Sequence, residues 1–391
     1  MMTSFGPNRL TMLAASGVSA LAALGAALSL SAPTIQAQIF VEYPLAISTL
    51  PTYDRVDGLS VPVMPSISIG ENARFVVNPA LTYRSNLGKV DPSLAVTGQF
   101  TADSSIGFAL SGARGTFTNE RWIRSDLINS LVSFGLGHDS RNYFRGDRGE
   151  ARLTSSLASV LGIPVDVASV FIGGRIERDW STGWQSGVPR GPYSILGRSD
   201  TTDGIRRRNP AITAGHIASA IAGLHGEYTG APGAAMLDVL LEAAGKSPSG
   251  GNFQQLTIDA GLNLATWFGQ RVEIGSHLVT TTTNTMTPLQ RFAYVGGSGS
   301  LATISLLGLG GDHLYFTDVL YVIPIAAIDL PLVGSPYIAP HFAAGAASVG
   351  GFGRPVENIG GRVGVSVFTL DYLVNPRTHQ HDFGAGISLR P

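Results

Sequence analysis

From Leu59 to Ile69 the odd positions carry Leu59, Val61, Val63, Pro65, Ile67 and Ile69, with Ser60, Pro62, Ser66 and Ser68 between them. A period of two is the signature of a strand with one apolar face. The next segments repeat it: Phe75, Val77, Leu81 and Tyr83 interleave with Arg74, Asn78, Thr82 and Arg84, then Leu94, Val96 and Phe100 with Ser93, Thr97 and Gln99. Further on, Leu256, Ile258, Leu262 and Leu264 alternate with Thr257, Asp259, Asn263 and Ala265, and Phe383, Ala385, Ile387 and Leu389 close the chain. These runs are about 10 residues long, against a mean of ~5–6 for strands of soluble proteins. Length is the discriminating feature, because a tilted strand that crosses hydrocarbon needs roughly 9–11 residues with apolar side chains towards lipid. The pattern predicts an all-β transmembrane antiparallel β-barrel. Phe75, Val77, Leu81, Tyr83, Leu94, Val96, Leu256, Ile258, Leu262, Leu264, Phe383, Ile387 and Leu389 then face lipid. A soluble exported β-sandwich is the alternative that alternates in the same way.

Weaker alternation predicts further strands over 104–118, 148–160, 165–177, 212–228, 270–284, 313–328 and 332–347, with a pair across 359–374. Residues 234–245 have good helix composition, yet Ala235, Leu237, Val239, Leu241 and Ala243 alternate, and the surrounding pattern favours a strand. Parity switches at Val367-Phe368, which marks a bulge or tight turn. Two insertions, 119–147 and 178–210, hold charge, glycine, proline and serine without alternation. They read as outer loops or as segments folded into a lumen, since backbone and charge of this kind cannot sit in hydrocarbon.

Charge changes the picture by being scarce. Charged residues make up 14% of 391, and the formal net charge is −1, so no basic face draws nucleic acid. The cluster Arg206-Arg207-Arg208 reads as a solvated loop. With no cysteine, thiolate metal sites and disulfides are excluded. At the N-terminus, Arg9, the Ala-, Leu-, Gly- and Ser-rich run Leu10 to Ala32, and the small-residue site at Ala37 follow the order of a secretory signal peptide. No later stretch of 18 residues is apolar throughout, which excludes a helical bundle in the membrane. The expected organisation is a signal peptide over 1–37, a short periplasmic segment over 38–52 and an outer-membrane barrel over 53–391.

Candidate chemistry is thin. His379, His381 and Asp382 place two imidazoles and a carboxylate close together, but one local cluster without a distant fourth ligand is better read as a hairpin loop. His138 and Asp139 are adjacent in sequence and so badly placed for an acid–base pair. Ser298 lies in Gly296-Gly297-Ser298-Gly299-Ser300, which lacks the last glycine of a nucleophile elbow and reads as a turn. Arg145-Gly146-Asp147 matches an adhesion tripeptide and reads as loop, and Gly350-Gly351-Phe352-Gly353-Arg354 lacks the helix that a phosphate cradle needs. The expectation is no enzyme, with no catalytic, cofactor-binding or metal residue and no cofactor.

Both ends of the barrel region resemble a known family. Tyr53-Asp54-Arg55-Val56-Asp57-Gly58-Leu59 resembles the opening of barrels in the outer-membrane assembly-factor superfamily of the BamA and TamA type, the bacterial surface antigen family. Trp122-Ile123, Asn129-Ser130-Leu131 and Asp139-Ser140-Arg141-Asn142-Tyr143-Phe144 are similar to the long early segment of its members without periplasmic domains. Arg291-Phe292-Ala293-Tyr294-Val295-Gly296-Gly297, Leu301 and Gly311-Asp312-His313-Leu314-Tyr315 resemble its lumen-folded loop and the next strand. Phe368-Thr369-Leu370-Asp371-Tyr372, Asn375-Pro376-Arg377-Thr378 and Phe383 to Ile387 resemble its last two strands. The resemblance implies a closed barrel of 12–16 antiparallel strands with one lumen-folded loop near 286–312 and no POTRA domains. It implies a monomer in the outer membrane of a diderm bacterium, with outer-membrane lipid as partner, no nucleic acid, and a role in envelope biogenesis, transport or surface display. A porin-like diffusion channel is the alternative. Two departures stand out. Ala302-Thr303 follow Leu301 where the family has Arg-Gly, and Leu320 stands where it has a glutamate. On that register the loop lacks its anchoring arginine, and the chain is not expected to catalyse insertion of other barrels; a shifted register would let Arg291 supply the contact.

Overall fold

The computed structural model describes residues 50–70, 74–100, 106–157, 167–182, 193–197, 204–281, 287–325, 327–328, 335–366 and 368–387. All of them fall within one compact unit, 41–391. The first strands are β1 (Thr52–Asp54), β2 (Gly58–Val63), β3 (Ile67–Ile69), β4 (Phe75–Arg84), β5 (Lys89–Gln99) and β6 (Ile106–Phe117). A helix, α1 (Asp126–Leu136), then precedes β7 (Phe144–Ser156), β8 (Val167–Trp180), β9 (Gly215–Gly230), β10 (Gly233–Lys246), β11 (Phe253–Ala265) and β12 (Arg271–Thr281). A small hairpin, β13 (Ala293–Val295) and β14 (Leu309–Gly311), forms a separate two-stranded sheet. The chain finishes with β15 (His313–Pro324), β16 (Tyr337–Ser348), β17 (Val356–Val365), β18 (Phe368–Val374) and β19 (His381–Ile387).

Every strand–strand register is antiparallel and the ladder follows chain order, with β12 pairing β15 across the inserted hairpin. Cross-strand partners keep one face apolar: Phe108 stands opposite Leu153, Leu153 opposite Ile172, Ile172 opposite Ala222, Ala222 opposite Leu241 and Leu241 opposite Leu256. That face is bare. Ile172 is 64% exposed and Phe383 68%, and Phe75, Leu81, Tyr83 and Leu94 are exposed beside them. Val77, Val96, Leu256, Ile258, Leu262 and Leu264 are half-buried on the same face. The Ile387 side chain and Leu389 lie outside the described residues. The opposite face holds Asp91, Arg145, Glu150, Arg175, Glu177 and Glu242, all buried. Charge inside and hydrocarbon outside is the reverse of a water-soluble sandwich, and it is the arrangement a lipid-facing wall requires.

One sheet contains seventeen strand segments, more than the twelve to sixteen expected. The excess comes from the first strand. Ser60 to Val63 of β2 and Ile67 to Ile69 of β3 dock end to end on the same strand, β4. Pro65, in the gap between them, has no N–H to give a ladder and breaks this strand in two, while Pro62 stays within β2 opposite Thr82. β1 is a three-residue arm on the other edge of β2. Setting β1 aside and counting β2 with β3 leaves fifteen wall strands of the seventeen segments. Among the described residues no register joins β19 to β2 or β3.

Of the parity switch at Val367-Phe368, Val367 lies outside the described residues; on either side of it Val365 of β17 pairs with Phe368 of β18, and Ser366 has φ 53°. Residues 234–245 are a strand, as their alternation predicts. Arg145-Gly146-Asp147 is not a loop: it lies in β7, where Arg145 faces inward. Arg178 to Trp180 likewise belong to β8 rather than to the second insertion. Antiparallel order places the ends of β6, β8 and β12 and the starts of β7, β9 and β15 at one end of the wall, and the end of β9 with the start of β10, and the end of β17 with the start of β18, at the other.

Ile172→Arg, in the middle of the bare face, is expected to cost about 2–4 kcal/mol in a lipid bilayer. Phe268→Arg, in the β11–β12 turn where Phe268 is 94% exposed, is expected to cost under about 1 kcal/mol, as near an interface. Equilibrium unfolding in lipid vesicles checks both, and equal costs would place Ile172 away from hydrocarbon.

Candidate functional site

The register on the inner face sets opposite charges against each other. Arg148 is the cross-strand partner of Glu177, and Glu150 that of Arg175. Arg148 meets Glu177 at 2.5 Å, Arg175 meets Glu150 at 2.7 Å, and Arg175 lies 3.7 Å from Glu242 of β10. Arg291 completes the cluster from outside the wall. It sits at the end of a short turn, Leu289–Arg291, that begins after Pro288. Its guanidinium donates to both Glu242 oxygens, at 2.9 and 3.0 Å, and to Glu177 Oε2 at 2.5 Å. Burial by itself lowers this guanidinium's pKa, but Glu177 and Glu242 hold it well above the ordinary arginine value, so it stays charged. Forked, charge-assisted bonds of this kind are strong, and removal of one partner from a buried set typically costs about 3–5 kcal/mol.

Neighbouring groups fix the same turn. Gln290 donates to Asp179 Oδ2 at 3.3 Å and to the Thr213 carbonyl at 3.0 Å, and Gln255 of β11 donates to the Arg291 carbonyl. Beyond it, Leu301 is buried among Val279, Val295, Leu314, Phe316 and Ala343. Gly296 has φ 135°, and a Cβ there would fall 2.4 Å from the Ser305 carbonyl oxygen, so only glycine fits. Segment 287–311 is therefore pinned to the inner face by ions at one end and by apolar packing at the other.

The expectation that this loop lacks an anchoring arginine is thus corrected. Ala302 and Thr303 are in the arginine's place in the family pattern, but Thr303 exchanges hydrogen bonds with Asn358 of β17: its N–H donates at 3.1 Å, and its hydroxyl accepts at 2.8 Å. Leu320, in place of the glutamate, packs with Val322 and Ala339. The ionic contact is made about ten residues nearer the N-terminus of the loop, by Arg291, as the shifted register allows.

The first insertion supplies a second inner segment. Asn119 donates to the carbonyls of Gln290 and Phe292. Trp122 stacks on His277 of β12, ring centroids 4.4 Å apart and planes 11° apart, and Arg124 donates to the carbonyl and hydroxyl of Ser298. The two segments therefore hold each other. Next comes α1, where Ser125 accepts from the Ile128 N–H and Gly137 ends the helix in the left-handed conformation. Behind the helix, Asp139 accepts from the Arg55 N–H, Asn129 and the Tyr143 hydroxyl. Arg207 donates to Asn142 Oδ1 at 2.6 Å and to the Arg141 carbonyl, and Arg55 donates to the Arg207 and Arg141 carbonyls. The arginine triplet is thus not simply a solvated loop, because Arg207 is buried and its pKa is lowered to about 10 by burial. Glu120, fully buried, accepts from Thr118 and from the Asn142 N–H, and burial raises its pKa to about 7.

Between α1 and the wall lies a polar cavity of about 240 Å³, lined by Asp57, Arg84, Asp91, Asn129, Ser130 and Arg141 among others. Arg84 pairs with Asp57 and Asp91, and Arg145 grips both Asp91 oxygens at 2.6 and 2.7 Å. Asp139 is spent on structural hydrogen bonds, and Ser298 receives Arg124 in its turn. His379 lies in the β18–β19 turn with φ 56°, so it does not share a strand face with His381.

No family model matches the sequence, and no curated protein matches it. Solved structures do. BamA from Haemophilus ducreyi lacking POTRA domains 1–3 superposes with a TM-score of 0.50 at 10% identity, over 86% of this chain and 69% of that one. CdiB from Acinetobacter baumannii gives 0.41 at 9% identity over 86% and 57% of the two chains, and CdiB from Escherichia coli 0.41 at 10% over 85% and 59%. The chain has the fold of the BamA barrel. The resemblance read from its motifs holds at that level.

Arg291→Ala is expected to free segment 287–311, seen as faster amide exchange there while the wall strands keep their protection. Arg291→Lys should restore the protection only in part, because an ammonium cannot fork. Glu120 gives a pH effect. A carboxyl whose folded pKa lies above its unfolded value near 4.5 makes the folded state more stable as pH falls through about 7, up to the order of 3 kcal/mol. Glu120→Gln should raise the thermal midpoint in detergent at pH 8 and leave it unchanged at pH 4.

Proposed function

We propose that this protein is an integral outer-membrane β-barrel of the assembly-factor type, exported behind a cleaved signal peptide, closed, monomeric, and sealed by its own chain. The observation that carries the reading is the double plug. Segments 119–143 and 287–311 cover the inner face, joined to each other through Asn119 and Arg124 and to the wall through Arg291. A passive channel needs an open, water-filled lumen. Here the inner charges are consumed in pairs by protein groups, which supports a role in envelope biogenesis or polypeptide transport over free diffusion of solutes. Arg291 removes the missing anchor as a reason for expecting no assembly activity, since the lumen loop has an ionic anchor. The bare apolar face makes outer-membrane lipid the constant partner, and the inner chemistry is structural.

Single-channel recording in planar bilayers tests this. The wild type should show small, rare openings, and Arg291→Ala should raise both their size and frequency severalfold. A steady, large conductance in the wild type would establish a diffusion channel instead.

A further inference from the structure

On the outward face of β6–β10 the ladder stacks four rows of side chains. Phe108, Leu153, Ile172, Ala222 and Leu241 form the first, and the second is small beyond its leucine: Leu110, Ala151, Gly174, Ala220 and Ala243. Large side chains beside small ones leave an apolar depression of about 760 Å³. The third row, Gly112, Gly149, Ile176 and Ala218, leads on to the fourth, Arg114, Asp147, Arg178 and His216. A second depression of about 730 Å³ runs from Gly112 and Gly149 to Arg178 and His216. Lys246 joins this rim from β10, opposite Ala218.

Charge on the rim does not cancel. Arg114 forks onto Asp147, Nε to Oδ1 at 2.6 Å and Nη2 to Oδ2 at 3.0 Å, which satisfies both. Arg178, His216 and Lys246 are exposed, and their side chains make no hydrogen bond or ion pair among the described residues. Other outward positions at the same end of the wall, Tyr83, Val90, Gln254 and Glu357, hold no cation. The surplus is therefore local, and it sits where the apolar trough ends.

The dimensions of the trough match one leaflet. Six residues, about 20 Å at ~3.3 Å each, separate Arg178 from Ile172. A tilt of about 40° turns that into roughly 15 Å of depth, half of a ~30 Å hydrocarbon core. Five strands at about 4.8 Å spacing give a width of roughly 19 Å, room for several acyl chains side by side. The charged row lies at the end where β6 and β8 finish, and the long connections that follow them mark the outer side of a bacterial barrel.

We propose that this trough binds one phosphorylated, multiply acylated glycolipid of the outer leaflet, of the lipid A type. Its acyl chains lie over Ala151, Gly174 and Ala220, and its phosphate meets Arg178, His216 and Lys246. A phosphate offers several oxygens to separated cations, whereas a zwitterionic head brings its own ammonium to a rim already positive. The inference rests on the outer-membrane barrel reading.

Native mass spectrometry of the full-length protein, released from detergent after incubation with diphosphoryl lipid A, tests it. The wild type should keep one lipid A and shed phosphatidylethanolamine. Arg178→Ser with Lys246→Ser should weaken retention about thirtyfold, and Lys246→Arg should keep it. Ala151→Leu with Ala220→Leu, which fills the trough and leaves the rim charge intact, should weaken retention independently. Heat-modifiable migration on gels shows that each variant has formed its barrel. Equal retention by wild type and the serine variant overturns the proposal, as does equal retention of phosphatidylglycerol or release of lipid A by inorganic phosphate alone. A heat-modifiable wild type that keeps no lipid A overturns it too and leaves the barrel reading standing, whereas recovery of the protein in the soluble extract would sink the barrel reading itself.

Discussion

A wall that turns its apolar side chains outward has no hydrophobic core to hold its contents, and the rest of the structure follows from that constraint. Burial on the inner face is burial among peptide groups and charges, where an unpaired ion is far more costly than a missing methyl group. Glu150, Glu177, Arg148 and Arg175 are therefore tied to one another by cross-strand register, Glu242 joins them through Arg175, and Arg291 brings in a sixth charge. What apolar packing there is inside remains local: Leu301 with Val279, Leu314 and Phe316, and Phe253 with Ile217 and Ala244. These patches place the loop, and the ions make its position costly to leave.

The same constraint decides what could be read in the chain. Period-two alternation is imposed by lipid on one side and polar contents on the other, so the wall strands from β4 onwards announce themselves, including the ambiguous 234–245, whereas the small β13 and β14 do not. The contents of the lumen follow no period. α1 was nevertheless signalled locally, by Ser125-Asp126 at its start, Leu127, Ile128, Leu131 and Val132 at helical spacing, and Gly137 at its end. Against a background of strands that run reads as loop. Arg291 was legible only as the alternative of a shifted register: a lone arginine followed by Phe292 has no pattern, and its role depends on Glu177 and Glu242, which are 114 and 49 residues away. The break of the first strand was legible as Pro65, though its effect on the strand count emerges only from the shared partner β4.

The polar cavity beside α1 shows where packing of the contents stops. Its walls alternate carboxylates with guanidiniums, so that no single sign of charge dominates it, and the Asp91 carboxylate is gripped by two arginines at once. Such a space suits water, which can bridge the remaining donors and acceptors without drawing a particular ion.

The plug's contacts are also far apart along the chain. Asn119 meets Gln290 across 171 residues, Arg124 meets Ser298 across 174, and Arg291 meets Glu177 across 114. Each closes a large loop whose entropy is offset only when the intervening strands are already in register. Wall pairing between successive strands needs no such closure. The order of events during biogenesis is thus built into the topology: the wall zips up from neighbour to neighbour, bringing Arg148 to Glu177 and Arg175 to Glu150, and for a time the newborn barrel is hollow, with Glu177 and Glu242 still waiting for Arg291. Only then do the two inner segments find each other and shut it.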